Sequence, residues 1–469
     1  MMLQQLSDAL SGINNILWGI PMIIMLLGTH LFLTVRLRFP QRYIFKAFKI
    51  MRTPDKDAPG DVTQGGALST SLAATIGTGN IIGVATAITL GGPGAVFWCW
   101  ITGVFGIATK YAEGLLAVKY RVRAKYGEML GGPMYAIERG LGWKWMAVIF
   151  SALATITSFG IGSSVQSNVA ASVLRDAFGI DTVYSGIVLA VVMACLLIIG
   201  VKGIVAVCRT LVPLMGIVYI IGCLGVLVVN RSFLFEAISL IVGSAFSADA
   251  AIGGLAGGAV MMAMRYGIAR GLFSNESGLG SAPIVAAAAK TRNPVRQALV
   301  SSTSTFMDTV IICLLTGLVI VSSVVATDGA IYDEDGMMLT QAAFARLNIT
   351  IGNVQIGSMS VNIAIILFSF STIVGWGYYG EKAIEYLFGP KYYKMARLVF
   401  RALLVVVVFA GAVWSVSLVW NISDFTNALM AIPNLICLVL LSPVIVSETR
   451  KYLWNDHIDD SSGEEPPMI

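Results

Sequence analysis

The feature that most constrains this chain is a succession of apolar stretches, each about as long as a bilayer's hydrocarbon core is thick. Of the 469 residues, 57% are hydrophobic and 12% are charged, which leaves too little polar surface to cover a soluble globule of this size. About 20 apolar residues span a bilayer as a helix, and the alternating segments of roughly 10 residues that build a transmembrane barrel do not occur. We therefore predict an all-α integral membrane protein.

Eleven stretches are long enough to cross the membrane. They cover residues 12–35, 65–90, 93–119, 145–175, 182–200, 206–229, 252–289, 297–325, 355–388, 396–419 and 424–447. Basic residues concentrate in the loops 36–56, 119–125 and 290–296, which the positive-inside rule assigns to the cytoplasm. The acidic loop Asp328 to Asp335 then falls outside. We expect a multi-pass protein of the plasma membrane, with its amino terminus outside and its carboxyl terminus in the cytoplasm.

The spans divide the chain into five parts. Residues 1–60 hold the first helix and a basic loop, 61–230 and 251–450 hold five spans each, 231–250 form an external segment, and 451–469 form a cytoplasmic tail. Within the external segment, Ser232 to Phe246 is predicted as an interfacial helix, and Met338 to Leu347 as a second one. The tail from Asp456 is polar and contains two prolines, so we predict that it is disordered.

Several classes of chemistry are excluded. The six cysteines lie in apolar stretches without a CxxC pair, and we interpret them as free core thiols (Cys99, Cys195, Cys208, Cys223, Cys313 and Cys437). Two histidines, His30 and His457, cannot build a histidine triad or a histidine metal site. HExxH, GxSxG and P-loop motifs are missing, which argues against an enzyme or an ATPase. The net charge of +5 follows from topology and indicates no nucleic-acid partner. We expect no cofactor.

Two spans carry glycine and polar residues near their middle. The first contains Ala74-Thr75-Ile76-Gly77-Thr78-Gly79-Asn80, and the second contains Gly271-Leu272-Phe273-Ser274-Asn275-Glu276-Ser277-Gly278. Backbone that leaves the helix inside a bilayer is tolerated only where protein or a water-filled cavity satisfies its polar groups. Any single glycine here is better explained by helix packing, but the pair together predicts a ligand site.

The spacing of the two breaks predicts an internal symmetry. They fall in spans two and seven, an offset of five spans, so they cross the membrane in opposite directions. Spans 2–6 and 7–11 would then form five-plus-five inverted repeats, with span 1 as an extra helix and a site at the midplane. At each break, the helix that begins offers N–H groups to a carboxylate, and the helix that ends offers carbonyls to a cation.

The motifs around both breaks resemble a known family. The run from Ala74 to Ala87 with Gly91-Gly92-Pro93-Gly94-Ala95, and the run from Arg270 to Pro283, resemble the alanine or glycine:cation symporters. The resemblance extends from about Thr63 to Val446. It implies the leucine-transporter fold and the uptake of alanine and glycine with sodium or protons. A channel would need a ring of carbonyls or charges, which two asymmetric breaks do not supply.

The residues that we expect to bind the substrate come from both breaks. Thr75 and the amides of the first break would hold the carboxylate and the second break would meet the amine, while two phenylalanines cap a short side-chain pocket. Gln166 lies in a polar run of span 4, and either faces the substrate or bonds to a neighbouring helix. The candidates are Thr75, Gly77, Thr78, Gly79, Asn80, Gln166, Phe273, Ser274, Asn275 and Phe370.

A sodium site is expected beside the first break. Adjacent hydroxyls in span 9 resemble the cation site of this fold, although Ser and Thr commonly bond back to their own helix instead. Three backbone carbonyls and two hydroxyls would provide five neutral oxygens, from Ala73, Ile76, Phe368, Ser371 and Thr372. A weaker second cation site would use Asn80, Ser274 and Thr305.

Charged residues at membrane depth are functional candidates. Asp308 is the most isolated acid, and it is either a proton-coupling group or a partner for Lys110 or an arginine. Glu276 is expected to hold the turn of the second break. Arg265 and Arg270 precede that break, and Arg270 is either half of an external gate or a partner of Glu276. The spacing of Lys110 and Glu113 predicts a structural ion pair.

Overall fold

The computed structural model describes residues 2–53, 55, 57–199, 201–246, 256–332, 334, 336–352 and 354–469. The chain is mostly helical. Its helices are α1 (Met2–Leu17), α2 (Ile20–Arg36), α3 (Ile44–Met51), α4 (Gln64–Thr75), α5 (Val84–Gly91), α6 (Gly94–Lys119), α7 (Pro133–Ala136), α8 (Lys144–Phe159), α9 (Val165–Phe178), α10 (Thr182–Ile199), α11 (Val201–Val229), α12 (Leu234–Phe246), α13 (Ala256–Asn275), α14 (Pro283–Ala286), α15 (Pro294–Thr305), α16 (Leu314–Val325), α17 (Gly336–Ala345), α18 (Ile356–Val413), α19 (Val416–Leu440) and α20 (Ser442–Thr449).

Six short strands complete the fold. These are β1 (Val62–Thr63), β2 (Val122–Arg123), β3 (Met129–Leu130), β4 (Ala289–Lys290), β5 (Thr350–Ile351) and β6 (Val354–Gln355), and they form three two-stranded pairs. The predicted interfacial segments coincide with α12 and α17. Asp333 and Asp335 of the acidic loop, and the predicted boundary at residues 250 and 251, lie outside the described residues.

Membrane-length helices dominate the molecule. Within the described residues, seven helices are long and apolar enough to cross a membrane, and two bent helix pairs bring the number to nine if each pair is one span. The bent pairs are α1 with α2, at 49°, and α4 with residues Gly79–Gly91, at 52°. The first helix therefore begins near Met2 rather than at residue 12. It bends where Gly19 precedes Pro21, because proline cannot continue an incoming helix.

Other long helices change geometry without ending. A π-helical turn, Gly160–Ser164, joins α8 to α9, and another, Phe306–Cys313, joins α15 to α16. Such wide turns are frequent at functional sites. In α18, Gly389 has a φ of 66° and precedes Pro390, so the helix is interrupted there by a left-handed residue and a missing backbone donor.

A parallel strand pair relates the two broken spans. β1 lies directly before α4, and β4 follows α14 after the second break; Val62 pairs with Ala289 and Thr63 with Lys290. The start of the first broken span and the end of the second therefore lie on the same side of the molecule. Two spans arranged in this way run in opposite directions.

The segment from Asp456 onward is not disordered, and that prediction is wrong. The buried amide of Asn293 donates to the carbonyls of Ile458 and Asp460 at 2.8 and 2.9 Å. The amide of Arg123, in β2, donates to the Pro467 carbonyl at 2.9 Å, and the carbonyl of Arg123 accepts from the Ile469 amide at 2.9 Å. Low hydrophobicity predicted disorder, but buried loop donors hold the segment instead.

The six cysteines are free, as predicted, and five are buried. Cys195 differs because it lies on the exposed face of α10, so it is not a core thiol. Hydrophobicity alone does not separate a side chain that faces lipid from one that faces protein.

Candidate functional site

The first break lies between α4 and the π-helical turn Gly79–Gly83. Ile76 has extended backbone angles, with φ −75° and ψ 91°, which frees the next amides from the helix. The Gly77 amide donates to Asn80 Oδ1 at 2.9 Å, and the Thr78 amide donates to Gln166 Oε1 at 3.4 Å. Two side-chain oxygens thus stand in front of these donors, where the oxygens of a carboxylate would also fit.

The second break begins later than the sequence predicts. α13 continues through Asn275, so Gly271 to Asn275 are helical, and the non-helical residues are 276–282. Positive φ angles mark this segment, at 55° for Glu276, 101° for Gly278 and 83° for Gly280. The Asn275 side-chain oxygen accepts from the Ser277 amide at 2.8 Å. Phe273, Ser274 and Asn275 therefore form the end of a helix rather than a loop.

The first break touches the last turn of α13, directly before the second break. A Cβ atom added to Gly79 would lie 2.8 Å from the ring of Phe273 and 3.3 Å from the Cα of Ser274. Only glycine permits this approach. The Phe273 ring stacks on Trp420 of α19, with ring centroids 5.0 Å apart. The aromatic partner of Phe273 is therefore Trp420, a residue that the sequence did not single out.

Several polar atoms at this contact lack partners. Among the described residues, the Thr78 hydroxyl, the Asn275 side-chain nitrogen and the Ser369 hydroxyl are buried without a hydrogen bond. Buried polar groups are rarely left unpaired in native proteins. A polar ligand held between the breaks would satisfy the first two.

A cluster of oxygens lies beside the first break. The Ser371 hydroxyl is 3.2 Å from the Ala73 carbonyl and 3.0 Å from the Phe368 carbonyl, and the Thr372 hydroxyl is 3.2 Å from the Ala73 carbonyl. Thr372 also lies next to the backbone of Gly77, since a Cβ there would be 2.5 Å from its hydroxyl. Four of the five predicted cation ligands thus lie together, and the fifth, Ile76, directly precedes Gly77 in the chain.

Other predicted residues lie elsewhere or bond differently. Phe370 is half-buried and shares a partly exposed face of α18 with Ile363 and Leu367, on the helix side away from Ser371. The Thr75 hydroxyl is 3.5 Å from the Leu72 carbonyl of its own helix. Thr305 bonds to Ser277 at 2.9 Å.

Asp308 joins the two breaks. Its carboxylate accepts from Asn80 Nδ2 at 2.6 Å, from the Ser274 hydroxyl at 2.8 Å and from the Thr309 hydroxyl at 2.7 Å. Its direct partners are therefore neutral donors rather than Lys110 or an arginine. Asp308 occupies the region that the sequence assigned to a second cation site.

Two buried glutamates fix the second break. Glu276 accepts from the Trp376 indole at 2.7 Å and from the Ser281 hydroxyl at 2.5 Å. Glu113 Oε1 accepts from the amides of Gly278 and Gly280 at 3.0 and 3.1 Å, and from Asn434 Nδ2 at 2.8 Å. Glu276 was expected to hold its turn by accepting backbone N–H groups, but its donors are two side chains, and the backbone amides of Gly278 and Gly280 bond to Glu113 instead. Trp376 and Asn434 were missed, because they approach from α18 and α19.

An ion pair lies beside the aromatic contact of Phe273 with Trp420. Arg270 binds both oxygens of Asp424, at 3.1 and 3.2 Å, and its guanidinium lies 4.7 Å from the ring centroid of Trp420. Arg270 and Trp420 line a cavity of about 450 Å³. Arg270 does not pair with Glu276, and Arg265 binds Asn15 at 2.6 Å instead of an acid.

Comparison with known proteins assigns the chain to a family. A family model described as "Sodium:alanine symporter family" matches residues 3–465. The sodium/alanine symporter AgcS of Methanococcus maripaludis is 46% identical over 447 residues, which are 94% of this chain and 96% of that protein. An uncharacterized transporter of Haemophilus influenzae is also 46% identical, over 98% of this chain and 99% of its own length.

A solved structure gives the fold. MhsT, crystallised with L-phenylalanine, superposes with a TM-score of 0.53 at 14% sequence identity, over 83% of this chain and 98% of that one. At this identity the likeness concerns the fold alone. The chain therefore has the fold of MhsT.

Proposed function

We propose that this chain, which belongs to the sodium:alanine symporter family, takes up alanine and glycine together with sodium by alternating access across the plasma membrane. The observation that carries the proposal is the contact of Gly79, at the first break, with Phe273, near the end of α13. The first break carries a buried unpartnered hydroxyl on Thr78, and a cluster of hard oxygens lies beside it. One short segment can thus hold an amino acid and a cation side by side.

The substrate carboxylate binds the amides of Gly77, Thr78 and Gly79. Asn80 and Gln166 oxygens already accept from two of these donors, which supports an acceptor at this position. The substrate ammonium binds Ser274 and Asn275 at the carbonyl end of α13. Phe273 on Trp420 closes the side-chain pocket, so the cargo is small.

Sodium binds the carbonyls of Ala73, Ile76 and Phe368 and the hydroxyls of Ser371 and Thr372. Four of these oxygens come from residues within hydrogen-bond distance of one another, and all are neutral hard ligands. A proton is the alternative coupling ion. Asp308 would carry it, because this buried carboxylate contacts Asn80 and Ser274 and therefore responds to both breaks.

The chain crosses the membrane eleven times. To the nine spans identified by length and composition we add one for the interruption of α18 at Gly389 and one for α13 with α14. Spans 2–6 and 7–11 form the inverted repeats, which the β1–β4 pairing supports by joining the start of one broken span to the end of the other. The basic loops and residues 456–469 face the cytoplasm, and the Arg270–Asp424 pair forms an outer gate.

Reconstitution in liposomes tests the function. Labelled alanine is expected to accumulate only with an inward sodium gradient. Accumulation that is indifferent to sodium but follows a proton gradient would favour the alternative, and indifference to both would refute symport.

A threonine pair tests the site. Thr78→Val removes a buried unpartnered hydroxyl at the break and should weaken alanine binding about tenfold, the loss of one hydrogen bond of roughly 1.4 kcal/mol. Thr157→Val is the matched control, since Thr157 is also buried with an unpartnered hydroxyl but lies in α8. Equal effects of the two changes would remove Thr78 from the site.

A further inference from the structure

The β2–β3 hairpin lies between two groups of packed helices. α6, which leads into the hairpin, packs most extensively against α13 and α15, whereas α18 packs most extensively against α8, α9 and α10. Glu128, in the turn of the hairpin, binds side chains of α18. The hairpin therefore connects the group that contains the second broken span with the group that contains α18.

One side of the hairpin is fixed to the broken spans by hydrogen bonds. The buried Arg121 guanidinium donates to the Ala289 carbonyl at 2.8 Å and to the Pro59 carbonyl at 3.0 Å. The Met129 amide donates to Asp61 Oδ2 at 2.7 Å. Pro59 and Asp61 precede the first broken span, and Ala289 follows the second break. A movement of the broken spans would therefore carry the hairpin with it.

The other side of the hairpin meets a cluster of charges. Among the described residues, α18 contributes five charged side chains that pair with one another, namely three cations and two acids (Lys382, Arg397, Arg401, Glu381 and Glu385). Glu128 Oε2 binds Lys382 and also accepts from Arg397 at 2.7 Å. Three positive and two negative charges leave +1 on α18, which the charge of Glu128 neutralises. Because Lys382 is 4% exposed, removing Glu128 from the cluster is unfavourable.

Tyr126 attaches the hairpin to both halves of α18. Its hydroxyl donates to Glu385 at 3.0 Å, and its ring stacks on Tyr393 with the centroids 4.1 Å apart. Glu385 precedes the interruption of α18 at Gly389, and Tyr393 follows it. The hairpin thus holds α18 at the point where its two halves meet.

We propose that the hairpin is an inner latch, in which Glu128 and Tyr126 bind α18 and close the site on the cytoplasmic side. The latch must release α18 before the substrate leaves. Its bonds to the broken spans are made with backbone groups. Its bonds to α18 include ion pairs of Glu128, a side chain that is 32% exposed, so water can solvate this carboxylate when the pairs separate. The inference rests on the proposed alternating access and adds the contact that controls release.

A buried serine reports the opening of the latch. Ala74 of α4 packs on Gly375 of α18, where an added Cβ would lie 2.9 Å from the Ala74 nitrogen. Ser71 lies one turn before Ala74 and is 6% exposed, so it stands between the hairpin end of α4 and the first break. In a Cys195→Ser background the other five cysteines are buried. Ser71→Cys should then react with a hydrophilic maleimide, in inside-out vesicles, when the latch opens.

Glu128→Gln should raise the labelling rate at position 71 about tenfold, because it removes the neutralising charge and keeps the shape of the side chain. The matched control is Glu138→Gln. Glu138 is also 32% exposed and accepts from Tyr386 of α18 at 2.8 Å. It lies in the turn that leads into α8, which belongs to the group of α18, so the rate should not change. Equal rates in the two variants would overturn the proposal.

Lys382→Met tests the latch from the side of α18 and provides the result if Glu128→Gln does not fold. It should also raise the labelling rate, and the double variant should label no faster than the faster single variant, because both changes break one contact. Rates that multiply would overturn the proposal. So would an equal rise at the native buried cysteines, which would indicate a general loosening of the fold. Absence of sodium-driven alanine uptake in the wild type would instead refute the symport, without altering these rates.

Discussion

Asp424→Asn should open the outer side of the site. Asp424 is the acceptor of a two-pronged bond from Arg270, and asparagine keeps its shape while removing its charge. Arg270 lies above Trp420 and Phe273, and Phe273 touches the first break. The pair therefore stands between the 450 Å³ cavity and the breaks.

The size of the effect follows from burial. The two side chains are 9% and 21% exposed, which places the pair between exposed pairs, worth roughly 0–1 kcal/mol, and buried pairs, whose breakage costs roughly 3–5 kcal/mol. We take about 2 kcal/mol for the closed state. This corresponds to a roughly 30-fold shift toward the open state, at about 1.4 kcal/mol per factor of ten.

Cysteine labelling measures that shift. Thr78 is fully buried at the first break, behind the pair, so Thr78→Cys in a Cys195→Ser background reports the opening by its accessibility to a hydrophilic maleimide, since the other five cysteines are buried. Asp424→Asn should raise the labelling rate by roughly the same 30-fold factor, because labelling follows the open population. The matched control is Asp176→Asn. Asp176 lines the same cavity but pairs with Arg175 on the exposed surface, so the rate should not change. Equal rates in the two variants would refute the gate.

Three further predictions concern the proposed cation site, Glu128 in the turn between β2 and β3, and residues 456–469. Ser371→Ala should raise the sodium concentration for half-maximal uptake about tenfold, whereas the buried neighbour Ser369→Ala should not; equal effects would exclude this cation site. Burial alone would raise the pKa of Glu128. The hydrogen bonds and positive charges of Lys382 and Arg397 outweigh it and hold that pKa below the ordinary value of about 4.3. The ionised Glu128 carboxylate therefore stabilises the fold above about pH 4.3, and this stabilisation is lost as the pH falls through the lower folded-state pKa. The difference in melting temperature between wild type and Glu128→Gln should shrink on acidification. A difference that stays constant would contradict this role. Asn293→Asp keeps the helix-capping oxygen but removes two amide donors, so hydrogen exchange should accelerate in residues 456–469 alone, and unchanged exchange there would contradict the role of these bonds.

Hydrophobicity predicted the membrane class, and the positions of most helices followed from the apolar stretches. Glycine and polar residues predicted both breaks, but they misplaced the second. Residues 271–275 remain helical because their hydrogen bonds continue, and the chain turns only where Gly278 and Gly280 allow positive φ. The amino-acid sequence shows which residues permit a break. The position of the break also depends on which side chains bond to the backbone groups that the break leaves free.

Those donors and acceptors come from helices far away in the sequence. Glu113 reaches the second break across 165 residues and Trp376 across 100. Asp424 meets Arg270 over 154 residues. Local spacing suggested only Lys110 as a partner for Glu113, and it did not single out Trp376 or Asp424, so no local pattern could assign these three roles. The sequence did identify Asp308 as exceptional, because an acid in an apolar span needs a reason.

The arrangement around the first break gives coupling a structural basis. The Ala73 carbonyl belongs to the proposed cation site, and the Gly77 amide belongs to the proposed substrate site. Only three residues separate them, and Thr372 contacts both. An ion that orders the carbonyl end of this segment also fixes the amides that face the carboxylate, so the entropy of ordering is lost only once for two ligands. Linkage then requires that alanine raise the affinity for sodium by the factor by which sodium raises the affinity for alanine. Symport at this site therefore needs no long-range pathway between ion and substrate, since a single broken helix is shared by both.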